Sequence, residues 1–244
     1  MIGTAAFHRK WICLALLFGP LAFAKESTVS ARVELTRAGG RGKGLQSGNV
    51  VFWLSPVGTP PAPLPAVMPN MANPRLTQHN KSFEPHLLVV PVGSEVEFPN
   101  RDPFFHNVFS LFDGKRFDLG LYEAGSTRMV RFDKPGISYI FCNIHAEMSA
   151  VVIALNTPYY GISNQRGDLV ISHVPFGRYT LHVWYETGLP DALNSMTREI
   201  TISDDTSSLG VFNIPATSLP TAHQNKYGKD YEPPTPDNPA YPRP

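Results

Sequence analysis

The residues best suited to chemistry lie together in one short segment, Phe141-Cys142-Asn143-Ile144-His145-Ala146-Glu147-Met148. It sets a thiol, an imidazole and a thioether in a C-x2-H-x2-M arrangement. These are soft and borderline donors of the kind that suit copper, and two histidines, a cysteine and a weak axial methionine form a trigonal copper set. One histidine is missing from that set. The best candidate lies upstream, in Asn100-Arg101-Asp102-Pro103-Phe104-Phe105-His106-Asn107-Val108, where His106 follows a proline-bearing turn and begins an apolar run. Structural zinc prefers four cysteine or histidine ligands, so a thioether in fourth place points to copper. A redox thiol would want a resolving cysteine, and no second one is near. The bland alternative makes Cys142 a small buried hydrophobe and leaves His145 and Met148 as loop filling. Each part of it is reasonable singly. Three such donors within seven residues favour a metal centre.

The cysteine count sharpens this. The chain has two, Cys13 and Cys142. Cys13 lies in the apolar run from Trp11 to Phe23, which follows His8, Arg9 and Lys10 and ends in Ala22-Phe23-Ala24. That order reads as a secretory signal peptide over residues 1–24, cleaved after Ala24, with an uncleaved anchor as the alternative. The run is short for a membrane span, and no later stretch is apolar enough for one. The expectation is an exported protein, periplasmic or extracellular, with no membrane span in the mature chain. Cys142 is then its one cysteine, and an unpaired thiol in an oxidising compartment needs a reason. Without Arg9 and Lys10 the chain keeps 19 basic and 20 acidic residues, a formal charge of −1. Nucleic-acid binding needs clustered Lys and Arg. The stretch RAGGRGK, residues 37–43, is too short and glycine-rich to serve, so no nucleic-acid partner is expected.

The elements that must position these donors read as strands. Expected strands are Val29 to Leu35, Val50 to Leu54, Leu87 to Val92, Glu95 to Phe98, Arg128 to Phe132, Ile137 to Cys142, Ala150 to Leu155, Asp168 to Ile171, Tyr179 to Tyr185 and Arg198 to Ile202. The two runs around Gly93 have the form of a hairpin. No long window has a helical period. Many short strands at close intervals argue for antiparallel β-sandwiches, an all-β fold. Pro56 to Pro74 is dense in proline and reads as an irregular connector. After Pro215 the chain turns polar and proline-rich, ending YEPPTPDNPAYPRP, and reads as an extended, disordered tail. In Tyr179 to Tyr185 alternation puts Tyr179, Leu181, Val183 and Tyr185 on one face and His182 and Trp184 on the other. Trp184 either covers a neighbouring domain or stands exposed. His79, His86, His173, His182 and His223 lack ligand-like spacing and read as surface or packing residues.

Two resemblances follow. The blocks EPHLLVVPVGSEVEFPNRDPFFHNVF and FDKPGISYIFCNIHAEM resemble the cupredoxins, closest to amicyanin and plastocyanin. The short gap between His145 and Met148 is similar to the amicyanin loop. The resemblance implies an eight-stranded Greek-key sandwich with one type 1 (blue) copper per chain and one-electron transfer as its role. His106, Cys142, His145 and Met148 would be the metal ligands, with His145 at the solvent edge. Asn107 would aim its backbone N–H at the sulfur and brace the ligand loops with its side chain. Ile144 and Ala146 stand where amicyanin has prolines, and Glu147 replaces an apolar residue. Ile144 therefore brings an N–H that proline lacks, a second donor toward the sulfur. The flanks, VSARVELTRAGGRGKGLQSGNVVFWL and GISNQRGDLVI with VPFGRYTLHVWYE, resemble the two halves of a carboxypeptidase regulatory-like module. That implies a cupredoxin inserted into a second small β-sandwich, with two unrelated β-domains in tandem as the alternative.

The expected division is a signal peptide at 1–24, regulatory-like sandwich at 25–57 and 156–215, connector at 58–75, cupredoxin at 76–155 and tail at 216–244. The expected function is electron transfer between redox proteins, a cytochrome or a dehydrogenase on one side, and not an enzyme reaction. The rivals are a copper storage or delivery protein and a structural β-protein with a vestigial site.

Overall fold

A computed structural model describes residues 25–37, 47–58, 73–111, 114–218 and 222–231. The expected signal segment and most of the connector lie outside the described residues. Strands β1 (Glu26–Arg37) and β2 (Val51–Pro56) come first. Nine more follow: β3 (Thr77–His79), β4 (Ser82–Glu84), β5 (Leu87–Pro91), β6 (Glu95–Pro99), β7 (His106–Ser110), β8 (Phe117–Tyr122), β9 (Thr127–Arg131), β10 (Gly136–Cys142) and β11 (Ser149–Leu155). The last group is β12 (Tyr160–Ile162), β13 (Asp168–Pro175), β14 (Gly177–Trp184), the short helix α1 (Pro190–Met196), β15 (Arg198–Ile202) and β16 (Ser208–Ala216). Apart from α1 the regular structure among the described residues is all β.

The first and last groups form one sandwich. In β1 the residues alternate cleanly, with Val29, Ala31, Val33 and Leu35 buried and Ser30, Arg32 and Glu34 outside. A period of two is what a strand with one face on a core requires. β1 lies between β13, antiparallel, and β16, parallel. The facing sheet has the order β12-β2-β14-β15. Between the sheets Phe52, Leu54, Leu169, Ile171, Leu181, Val183, Phe212 and Ile214 share one core. Phe52 meets Phe212 edge-on at 4.6 Å between ring centres. The insertion expected from the flanks is present in the pairing: Leu54 stands opposite Leu181, and Phe52 opposite Gly161, with β3 to β11 between them in sequence. Pro215 sits within β16, a position open to proline because β16 is an edge strand.

The inserted strands make the second sandwich. A five-stranded sheet, β5-β11-β10-β7-β8, faces the pairs β6-β9 and β3-β4. Phe83, Val96, Phe98, Val108, Phe132, Ile140, Ala150 and Val152 fill the space between. The hairpin expected around Gly93 does not form. Gly93, at φ +94°, turns the chain from one layer to the other, so β5 pairs with β11 and β6 with β9. Only glycine enters that region of φ without strain.

A third apolar cluster joins the two sandwiches. Trp184 and Val51, on the outer face of the first, meet Leu87, Val151, Ile153 and Leu155 of the second. Trp184 is 7% exposed, so of its two readings the covering one holds. His182 stacks on Trp53 beside it, at 4.9 Å between ring centres. His86 and Glu186 close the rim with a contact of 2.6 Å. No helix among the described residues is long and apolar enough to cross a membrane.

Candidate metal centre

The site is built where β7 begins and β10 ends. These strands are antiparallel neighbours, with Cys142 opposite Val108. Two residues back along β7, on the same face as Val108, is His106. Beyond Cys142 the chain turns tightly and returns as β11, with Phe141 opposite Ser149. That turn carries His145 and Met148. It is closed by Cys142 N–H to the Met148 carbonyl (3.2 Å) and Met148 N–H to the His145 carbonyl (3.2 Å).

The result is a cluster of three donors. Cys142 Sγ lies 3.5 Å from His106 Nδ1 and 3.4 Å from His145 Nδ1. All three atoms lie within 4.8 Å of one another. An ion bound at about 2.0–2.3 Å with trigonal angles needs its donors about 3.5–3.7 Å apart. The spacing and the nitrogen and sulfur donors therefore fit a soft or borderline metal ion. Met148 is fully buried in the same apolar cluster as Cys142. His145, expected at the solvent edge, is only 7% exposed, and Phe104 packs on both imidazoles at 5.3 and 5.6 Å.

Burial sets the protonation. It pushes the Cys142 thiol up, against hydrogen bonds from the main-chain N–H groups of Asn107, Ile144 and His145. It also lowers both histidines, His145 to about 4 with help from the nearby His106 and Lys81. Both imidazoles are thus neutral near pH 7 and free to coordinate. Three N–H groups aimed at one sulfur are suited to a thiolate. The expected N–H donors Asn107 and Ile144 are both among them.

Several contributors were missed in the sequence. His106 Nε2 donates to Asp102 Oδ2 at 2.8 Å, which leaves Nδ1 as the lone-pair nitrogen facing the sulfur. Asp102 is itself held by the N–H groups of Asn80 (2.6 Å) and Lys81 (3.0 Å). A carboxylate behind a ligating histidine fixes its tautomer and orientation. The clue was Asp102 four residues before His106 in the proline turn. Asn107 braces the ligand loop with its main chain, because its carbonyl accepts from Asn143 N–H at 2.8 Å. Its side chain goes instead to Asp118 Oδ1 at 2.9 Å.

The expected extended tail is different over residues 222–231, which lie folded against the ligand loop. His223 N–H donates to the Ala146 carbonyl (3.0 Å), and His223 Nε2 lies 3.2 Å from the His145 carbonyl. Lys226 N–H donates to Asn143 Oδ1 (2.9 Å), and Tyr231 Oη–H to the Cys142 carbonyl (2.7 Å). Composition alone misled here, because the proline-rich stretch hides a self-closed turn. Asn225 Oδ1 accepts from Tyr227 N–H and Lys229 N–H, and Gly228 at φ +71° completes it. Asparagine and glycine are the residues that favour such turns.

No protein-family model matches the chain, and no curated protein sequence matches it. Among solved structures, a copper-containing nitrite reductase from Thermus scotoductus matches at TM-score 0.34 and 24% identity, over 39% of this chain and 25% of its own. A purple cupredoxin from Nitrosopumilus maritimus matches at TM-score 0.31 and 21% identity, over 34% of this chain and all of its own. A reduced mutant of amicyanin matches at TM-score 0.33 and 20% identity, over 35% and 87%. The chain thus spans a quarter of the nitrite reductase it is similar to.

Proposed function

We propose that the chain is an exported blue-copper protein that passes single electrons between redox partners, and that it is a carrier and not an enzyme. The observation that carries this reading is a buried thiol flanked by two imidazole Nδ1 atoms at 3.4 and 3.5 Å, the spacing of a trigonal metal set. His106, Cys142 and His145 would hold one copper, with Met148 as the weak axial donor. Bound copper would supply reversible one-electron chemistry between Cu(I) and Cu(II).

The protein's own part is to keep the donors still. His106 is fixed from behind by Asp102, Cys142 by the end of β10, and His145 by the turn that closes on Met148. Donors fixed by a β-sandwich rearrange little when charge changes, which suits electron transfer. Burial behind Phe104 keeps water from the imidazoles. The redox partner would be another protein, such as a cytochrome or dehydrogenase.

Visible spectroscopy of the purified chain after copper loading tests this. Intense absorption toward the red, bleached by ascorbate and lost in Cys142→Ser, is the expected result. Colourless Cu(I) binding would favour a storage or delivery protein instead, and failure to bind copper at all would leave only a structural role.

A further inference from the structure

We propose that residues 222–231 are a working part of the metal centre, with His223, Lys226 and Tyr231 acting as positioning residues for the Cys142–Met148 ligand loop. The metal-dependent half of this rests on the copper reading above, and the loop-ordering half does not.

The ligand loop is short of internal stiffness. Ile144 and Ala146 leave it without prolines, and each non-proline residue adds a free φ and an N–H to be satisfied. Its own hydrogen bonds use N–H groups: Asn143 to Asn107, Ile144 and His145 to the sulfur, and Met148 back to His145. The segment at 222–231 supplies the other half by meeting loop carbonyls and one side-chain amide. Tyr231 takes the Cys142 carbonyl, His223 those of His145 and Ala146, and Lys226 N–H takes Asn143 Oδ1. The contacts therefore fall on two of the loop's three proposed donor residues, Cys142 and His145, and on the residue after each.

The segment also reaches the other ligand strand. Lys226 Nζ lies 2.7 Å from Asp118 Oδ2, and Asp118 Oδ1 accepts from Asn107 Nδ2. Asn107 in turn aims its N–H at Cys142. A single folded segment thus ties β8, the start of β7 and the ligand loop together. Aromatic packing holds it down, with His223 4.5 Å from the Phe141 ring and 5.4 Å from Tyr231. The turn around Asn225 gives the segment a shape of its own, so it meets the loop preformed.

The test compares the full chain with a chain cut after Ser218 and with the full-length variants Tyr231→Phe, Lys226→Ala and Lys226→Arg. In the copper-free protein, hydrogen exchange of peptides covering 142–148 should quicken about tenfold in the cut chain and about threefold in Tyr231→Phe. Peptides from β1 and β14 should not change. In the copper-loaded protein, release to a Cu(I) chelator should quicken to a similar degree. The visible band and the reduction potential should shift in Tyr231→Phe at an unchanged melting temperature, and Lys226→Arg should restore what Lys226→Ala loses. Unchanged loop exchange in the cut chain would overturn the proposal. If the cut chain does not fold, unchanged exchange, release and spectrum in Tyr231→Phe overturn it equally. A chain that binds no copper, yet whose loop exchange responds to the cut, would support the positioning role and sink the copper reading.

Discussion

Replacing Ile144 by proline tests how the centre is tuned. The Cys142 sulfur receives N–H groups from Asn107, Ile144 and His145, and proline at 144 removes one of them. A hydrogen bond to a charged acceptor is worth about 1.5–3 kcal/mol. It strengthens as charge builds on the sulfur, which is greater beside Cu(I) than Cu(II). If about half of that value differs between the two states, the loss is about 0.8–1.5 kcal/mol, or about 30–65 mV for one electron. The donor favours Cu(I), so Ile144→Pro should lower the reduction potential by that amount. Ile144 also packs on the apolar core, so its side chain must be controlled for. Ile144→Val keeps the N–H and should leave the potential nearly unmoved. Cyclic voltammetry of the two copper-loaded variants reads the difference. A proline variant with an unchanged or higher potential would refute the reasoning.

Asp102→Asn weakens the brace behind His106 and should reduce copper affinity about 10–100-fold in a Cu(I) competition assay. Trp184→Ala empties the cluster between the sandwiches and should cost about 3–5 kcal/mol in denaturant unfolding, with the copper site's spectrum retained. Glu147 is exposed, so Glu147→Gln should raise the potential by the equivalent of about 1 kcal/mol or less, seen in the same voltammetry. His86 is raised above its ordinary 6.5 by its hydrogen bond to Glu186, against the effect of burial. Its folded state favours the imidazolium, so the pair's contribution is full below about pH 6.5 and is lost as pH climbs through the raised value. Melting temperatures should show that loss in the native chain and lack it in Glu186→Gln.

What could be read from the sequence was whatever is local. Cys142, His145 and Met148 share one turn, and alternation along β1 and β14 marks their buried faces directly. His106 is 36 residues from Cys142, and the histidine missing from the trigonal copper set was what called for it. The strands missed, among them β3, β4, β8 and β12, are short or half exposed, so alternation has too few residues to register. Gly93 misled because a glycine between two apolar runs marks a change of layer as readily as a hairpin. Asp118 and Tyr231 act through hydrogen bonds whose partners only the folded chain brings near. Tyr231 is 89 residues from the carbonyl it meets, inside a stretch whose composition argued for disorder.

The parallel pairing of β1 with β16 carries a consequence in time. The first and last described strands are neighbours, so the outer sandwich stays open until β16 arrives. The nine inserted strands are contiguous in sequence, and contacts of short sequence separation form fastest. The donors of β7 and β10 can therefore be assembled while the outer sandwich is still unfinished. Residues 222–231 start a few positions beyond β16, so their docking on the loop is expected to follow the pairing of that strand with β1. Metal offered before that docking should meet a loop held only by its own hydrogen bonds, and metal offered afterwards one fastened by the segment as well. On the copper reading, copper added at increasing delays during refolding should therefore enter ever more slowly.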